Sequence, residues 1–61
     1  MYKIGAEIFF VRGWKVYRGY VESIDETYRL YKVIPTEESV ARKVEFMLVP
    51  FENVVRLIEE G

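Results

Sequence analysis

The stretch Phe46-Met47-Leu48-Val49-Pro50-Phe51-Glu52-Asn53-Val54-Val55-Arg56-Leu57 constrains this chain more than any other. Proline has no backbone N–H and cannot continue a central ladder, so the apolar strand that begins the stretch stops pairing at Val49-Pro50. Phe51-Glu52-Asn53 is then free to make one tight helical turn, and Val54 to Ile58 reads as a short closing strand. Preceded by several short strands, this is how a small β-barrel closes.

The preceding residues supply those strands. Glu7 to Val11 is an apolar, β-branched and aromatic run after Gly5, broken by Arg12-Gly13. Trp14 to Ile24 reads as a second strand with Gly19 in its middle, where a barrel needs a sharp bend or a close backbone approach. Asp25-Glu26-Thr27 is a turn, Tyr28 to Ile34 the third strand, and Pro35 its end. In the connection Thr36 to Lys43, Thr36 is placed to cap a short helix with acids in its first turn and bases in its last. A long hairpin tip fits the same eight residues, which barely sustain a helix without tertiary support. Val44 to Val49 and Val54 to Ile58 are the fourth and fifth strands. The fold class is all-β: one domain over residues 1–61, a small five-stranded SH3-like barrel with a short helical turn before its last strand.

Length and composition restrict how such a barrel is stabilised. A chain of 61 residues hides only about 60% of the surface its unfolded form exposes. With no Cys and no His, neither a disulfide framework nor the usual metal ligands and proton shuttle are available. Aromatic residues are 16% of the chain and hydrophobic ones 51%, more rings than one small core encloses. Some aromatic surface should therefore face solvent or a partner. Glu, Lys and Arg dominate the polar set, which leans towards a thermophilic source. No apolar run approaches a membrane span and no signal-like segment follows Met1, so the expected location is cytoplasmic.

Charge and chemistry argue for binding rather than catalysis. The net charge of −1 does not suit a protein that coats nucleic acid by charge alone. Its distribution is uneven: residues 1–34 carry six bases against four acids, and residues 35–61 three against six. Such polarity steers a partner or orders a head-to-tail contact. No Ser, Thr or Lys sits in an activating context, and the pairs Asp25-Glu26, Glu37-Glu38 and Glu59-Glu60 fall in turns or at the terminus. No phosphate loop or metal-ligand spacing occurs. The expectation is a protein that is not an enzyme and uses no cofactor or metal.

Aromatic residues interleaved with bases form the candidate contact surface: Trp14, Lys15, Tyr17, Arg18 and Tyr20, with Tyr28, Arg29 and Tyr31 nearby. Trp, Tyr and Arg are enriched at protein hot spots, while rings and cations together also suit single-stranded nucleic acid. Alternation adds a second element. If Ile8 and Phe10 enter the core, Phe9 and Val11 face outward. Met47 and Val49 pose the same question against Phe46 and Leu48, and are placed here on a dry contact face. Apolar residues on both faces of two strands indicate a protein partner or a homo-oligomer.

Met1-Tyr2-Lys3-Ile4-Gly5-Ala6-Glu7-Ile8-Phe9-Phe10, Gly19-Tyr20-Val21-Glu22-Ser23-Ile24, Tyr31-Lys32-Val33 and Leu48-Val49-Pro50-Phe51-Glu52-Asn53-Val54 occur in that order. Together they resemble the RNA-polymerase-interacting domain of CarD-type transcription regulators and of the transcription-repair coupling factor. The resemblance implies an SH3-like barrel that contacts RNA polymerase through an exposed sheet edge. Polymerase-contacting arginines of some members would fall near Thr27 and Leu48. Gly5 to Gly13, Tyr17-Arg18-Gly19 and Leu48-Val49-Pro50 also resemble the framework of plasmid-borne type II dihydrofolate reductases. There the polar pore residues would fall on Phe46 to Val49 and a lysine on Phe10, so apolar groups replace the ligand-holding ones.

Overall fold

The computed structural model of the chain describes residues 2–59. Five antiparallel strands make one sheet: β1 (Glu7–Arg12), β2 (Lys15–Asp25), β3 (Leu30–Pro35), β4 (Met47–Pro50) and β5 (Val54–Glu59). Their spatial order is β4-β3-β2-β1-β5. A four-residue helix, α1 (Glu38–Ala41), joins β3 to β4, and the 3-10 turn Phe51–Asn53 precedes β5. This is the five-stranded SH3-like arrangement, with the helical turn where Pro50 demands it.

Turn chemistry fixes both hairpins. The β1–β2 hairpin closes on the Arg12↔Lys15 pair and leaves Gly13-Trp14 as a two-residue loop. Gly13 has φ +67° while Trp14 keeps an ordinary φ, the pattern of a type II′ turn, whose first central position wants glycine. The β2–β3 hairpin closes on Asp25↔Leu30. Asp25 Oδ1 accepts hydrogen bonds from the backbone N–H groups of Thr27 and Tyr28, both at 3.0 Å, and Arg29 takes the left-handed φ of 57°. These two features hold Tyr28 and Arg29 in the turn, so β3 starts at Leu30 rather than at Tyr28. Asp25→Ala removes both bonds and should lower stability by about 1 kcal/mol. A reduced urea midpoint at unchanged m-value is the expected result; an unmoved midpoint would show that the turn is held by something else.

β2 is long because it serves both halves of the curled sheet. Gly19 lies opposite Ile8 of β1 and Pro35 of β3, and the Val33 side chain and the Ile34 carbonyl fill the space that a side chain there would need. At Glu22 the register slips by one residue. Strict alternation from Val21 would turn Ser23 inward, but the bulge re-phases the strand so that Ile24 packs on the core.

The core collects one face of each of the first four strands: Ile8, Phe10, Val21, Tyr31, Val33, Met47 and Val49, with Ala6 just before β1. Tyr31 is its centre. Its ring packs against Phe51 at a centroid distance of 4.7 Å and against Tyr2 at 6.0 Å, and its buried hydroxyl accepts a 2.9 Å hydrogen bond from the Tyr2 N–H. The open seam between β1 and β4 is stitched by side chains. Asn53 Nδ2 donates to the Val11 carbonyl at 3.1 Å and Arg12 Nη1 to the Leu48 carbonyl at 3.4 Å.

The 36–43 connection is helical for one turn, but Thr36 does not cap it. The N-cap position belongs to Glu37, which makes no side-chain cap bond. The Thr36 hydroxyl is engaged by Arg18, donating to its carbonyl and accepting from Nε, both at 3.2 Å. The Val44 N–H donates to the Val40 carbonyl at 3.1 Å, which extends the turn and delays β4 to Met47.

Candidate functional site

Alternation along β2 splits the expected contact residues into separate groups. Lys15 and Tyr17 share the core side of the hairpin, because Tyr17 lies opposite the buried Phe10. There the Tyr17 ring stacks on Phe10 at 5.8 Å, and Lys15 Nζ lies 5.2 Å from the Tyr17 centroid. Arg18 and Tyr20 stand on the outer face, opposite Phe9 and Glu7. Arg18 is braced by the Glu7 carboxylate at 3.3 Å and by Thr36, which makes it part of the scaffold. Tyr20 is exposed, and Phe9 and Val11 on the same face are half-buried. Trp14 belongs to neither face. It projects from the hairpin tip and is 99% exposed.

Met47 and Val49 move from the contact surface to the core. Val33↔Met47 and Tyr31↔Val49 are cross-strand pairs, which set both side chains on the inner face at 8% and 1% exposure. The outward residues of this segment are Leu48, 51% exposed, and Phe46, whose ring has Lys32 Nζ at 4.4 Å from its centroid.

Among the described residues, the surface has hollows beside the β2–β3 hairpin, along the β1–β4 seam and next to α1. The first, about 650 Å³, runs between Ile24, Tyr28, Leu30 and Leu48, with Asp25, Glu26 and Lys32 at its margin. Asp25 is committed to its turn, and Lys32 to Glu22 at 3.2 Å. Another, about 270 Å³, follows the β1–β4 seam. The third, about 250 Å³, lies between α1 and the loop end of the β1–β2 hairpin, where Val40, Val44 and Met47 meet Lys15, Tyr17 and Lys43. Lys43, Val40 and Val44 carried no sequence signal, since only the folding of α1 back onto the barrel end brings them to Lys15.

The acidic pairs are dispersed. Glu38 forms a 2.6 Å ion pair with Arg42 along α1, and Glu60 of the Glu59-Glu60 pair lies outside the described residues. Among the described residues no group of three or more acids comes together to hold a metal, and no helix is long and apolar enough to cross a membrane. Comparison with family models, with curated proteins and with solved structures finds no match.

Proposed function

We propose that this chain is a non-catalytic protein-interaction module that meets its partner at the barrel end formed by the β1–β2 hairpin. One observation carries the reading: Trp14 sits on a tight two-residue turn with its indole 99% exposed. The turn requires glycine at position 13 but asks nothing of position 14, so the fold has no use for a large apolar ring there. Burying such a side chain is worth about 2–3 kcal/mol, and a partner is the natural source of that burial. Trp is also among the residue types that dominate interface energetics.

Side-chain contact at the hairpin suits this barrel better than addition of a strand to its edge, the mode that the resemblance to polymerase-binding domains implies. β4 is four residues long and ends in Pro50, and its Leu48 carbonyl already receives Arg12. β5 pairs with β1 through two register shifts. Short, irregular and proline-ended edges hinder pairing with another chain. A nucleic-acid platform is disfavoured by the placement of the rings. Trp14 and Tyr28 lie beyond opposite ends of β2 and Tyr20 on its outer face, so they form no continuous stacking row.

Trp14→Ala tests the proposal. The variant should melt within a few degrees of the parent, because the indole packs on nothing, and should lose partner capture by about 30-fold or more, as truncation of a hot-spot Trp does. Quantitative pull-downs with parent and variant, run against the RNA polymerase β subunit and against total cell protein, give the readout. Equal recovery by both would sink the assignment of the surface. Recovery of polymerase by the parent alone would identify the partner.

A further inference from the structure

The third hollow has a character the other two lack. Its floor is apolar, from Tyr17, Val40, Val44 and Met47, while Lys15 and Lys43 flank it and no acid lines it. Arg18, Lys32 and Arg42 each have a carboxylate partner, whereas Lys15 and Lys43 have none among the described residues. Two uncompensated ammonium groups beside an apolar depression favour an occupant that is acidic and carries an apolar group. At about 250 Å³, the space is below the usual 300–1,000 Å³ of a small-molecule site. It suits one anchoring side chain from a longer segment.

We infer that this groove receives an acidic peptide segment that inserts one leucine- or phenylalanine-sized anchor between Lys15 and Lys43. The inference rests on the interaction reading and names the chemistry of the partner. Trp14, one residue before Lys15, stands exposed at the hairpin tip, within reach of the same segment as it leaves the groove. Nucleic acid fits less well, because Tyr17, the one ring lining the groove, already has Phe10 stacked on it and Lys15 above it, and the exposed Trp14 indole alone makes no stacking row. Two phosphate contacts would also give little affinity in an otherwise balanced surface.

Selection from a random 12-residue peptide display library on the immobilised protein supplies the probe, and Trp14, the single tryptophan, reports binding by its fluorescence. The expected winners carry several Asp or Glu around one large apolar residue. Their affinity should fall at least tenfold when the acids are replaced by the matching amides. It should fall as much in the double variant Lys15→Glu/Lys43→Glu, with Lys3→Glu as an unaffected control. Circular dichroism melts of Lys15→Gln/Lys43→Gln guard against a folding defect, and this milder variant should also bind several-fold less tightly.

Neutral or basic winners, affinities within threefold in both double variants, or no winners would overturn the inference. So would tighter binding of a thymidine 12-mer than of any peptide, or self-association of the parent that the charge reversal abolishes. Peptides whose binding needs Trp14 but ignores both lysines would remove the acidic partner and leave the interaction module standing. Partner capture indifferent to Trp14→Ala removes the module's assigned surface itself.

Discussion

Gly19→Val should leave the chain without a cooperative folding transition. A Cβ at position 19 would lie 2.5 Å from Val33 Cγ1 and 2.6 Å from the Ile34 carbonyl oxygen. One obstacle is a core side chain and the other is backbone held in the β2–β3 ladder, so neither yields cheaply. Overpacking typically costs 1–3 kcal/mol and rises when backbone must move. At 0.05–0.15 kcal/mol per residue a domain of this length holds about 3–9 kcal/mol in total, and a branched side chain in that gap consumes most of it. Gly19→Ala should fold with a transition lowered by more than 10 °C. A Gly19→Val protein that melts like the parent would show that β2 does not pass as close to β3 as described.

Neighbouring residues on β4 should respond oppositely to the same charge. Val49→Asp places a carboxylate opposite Tyr31, in a position that is 1% exposed and paired with no charged residue across the ladder. An unpaired buried carboxylate costs several kcal/mol even after it takes up a proton, and the chain should be unfolded at neutral pH. Leu48→Asp, one residue earlier on the outward face, should alter stability by about 1 kcal/mol or less. The comparison isolates facing from strand propensity, because both variants put the same poor strand former into the same strand. If Leu48→Asp unfolded the protein and Val49→Asp did not, the register of β4 would be one residue out.

That pair of residues also shows where the sequence stops being legible. Phe-Met-Leu-Val is apolar at every position, so alternation is silent about which side faces inward. Only the pairing with Tyr31 and Val33 decides it. At breaks and close approaches the local chemistry was sufficient. Pro50 and the turn after it, Gly19 as the close approach and the break at Arg12-Gly13 could be read from residue type, whereas Ile8-Phe9-Phe10-Val11 is apolar throughout and its facing, like that of β4, is decided only by the pairing. The misplaced start of β3 comes from a long-range tie as well as a local one: the Arg29 carbonyl receives the Phe51 N–H at 3.0 Å, which helps to hold a non-glycine residue left-handed. Thr36 looked like a cap because nothing local reveals that Arg18, eighteen positions earlier, takes its hydroxyl.

The candidate site was half visible. Trp14 and Lys15 stood out as an aromatic and a base at a turn, but a list of neighbours in sequence runs together residues that a strand sends to opposite faces. Arg18 and Tyr20 therefore part from Lys15 and Tyr17. The partner of Lys15 across the groove, Lys43, comes from the far side of α1, and no spacing rule connects them.

Mapping a bound partner by backbone amide shifts in an isotope-labelled sample tests the central claim most directly. With either the selected peptide or a captured protein, perturbation should concentrate at residues 12–17 and 40–44 and at the Trp14 indole N–H. Shifts confined to residues 47–50 or 54–58, with the hairpin unmoved, would mean that the barrel binds by its sheet edge and that the exposed indole has no part in it.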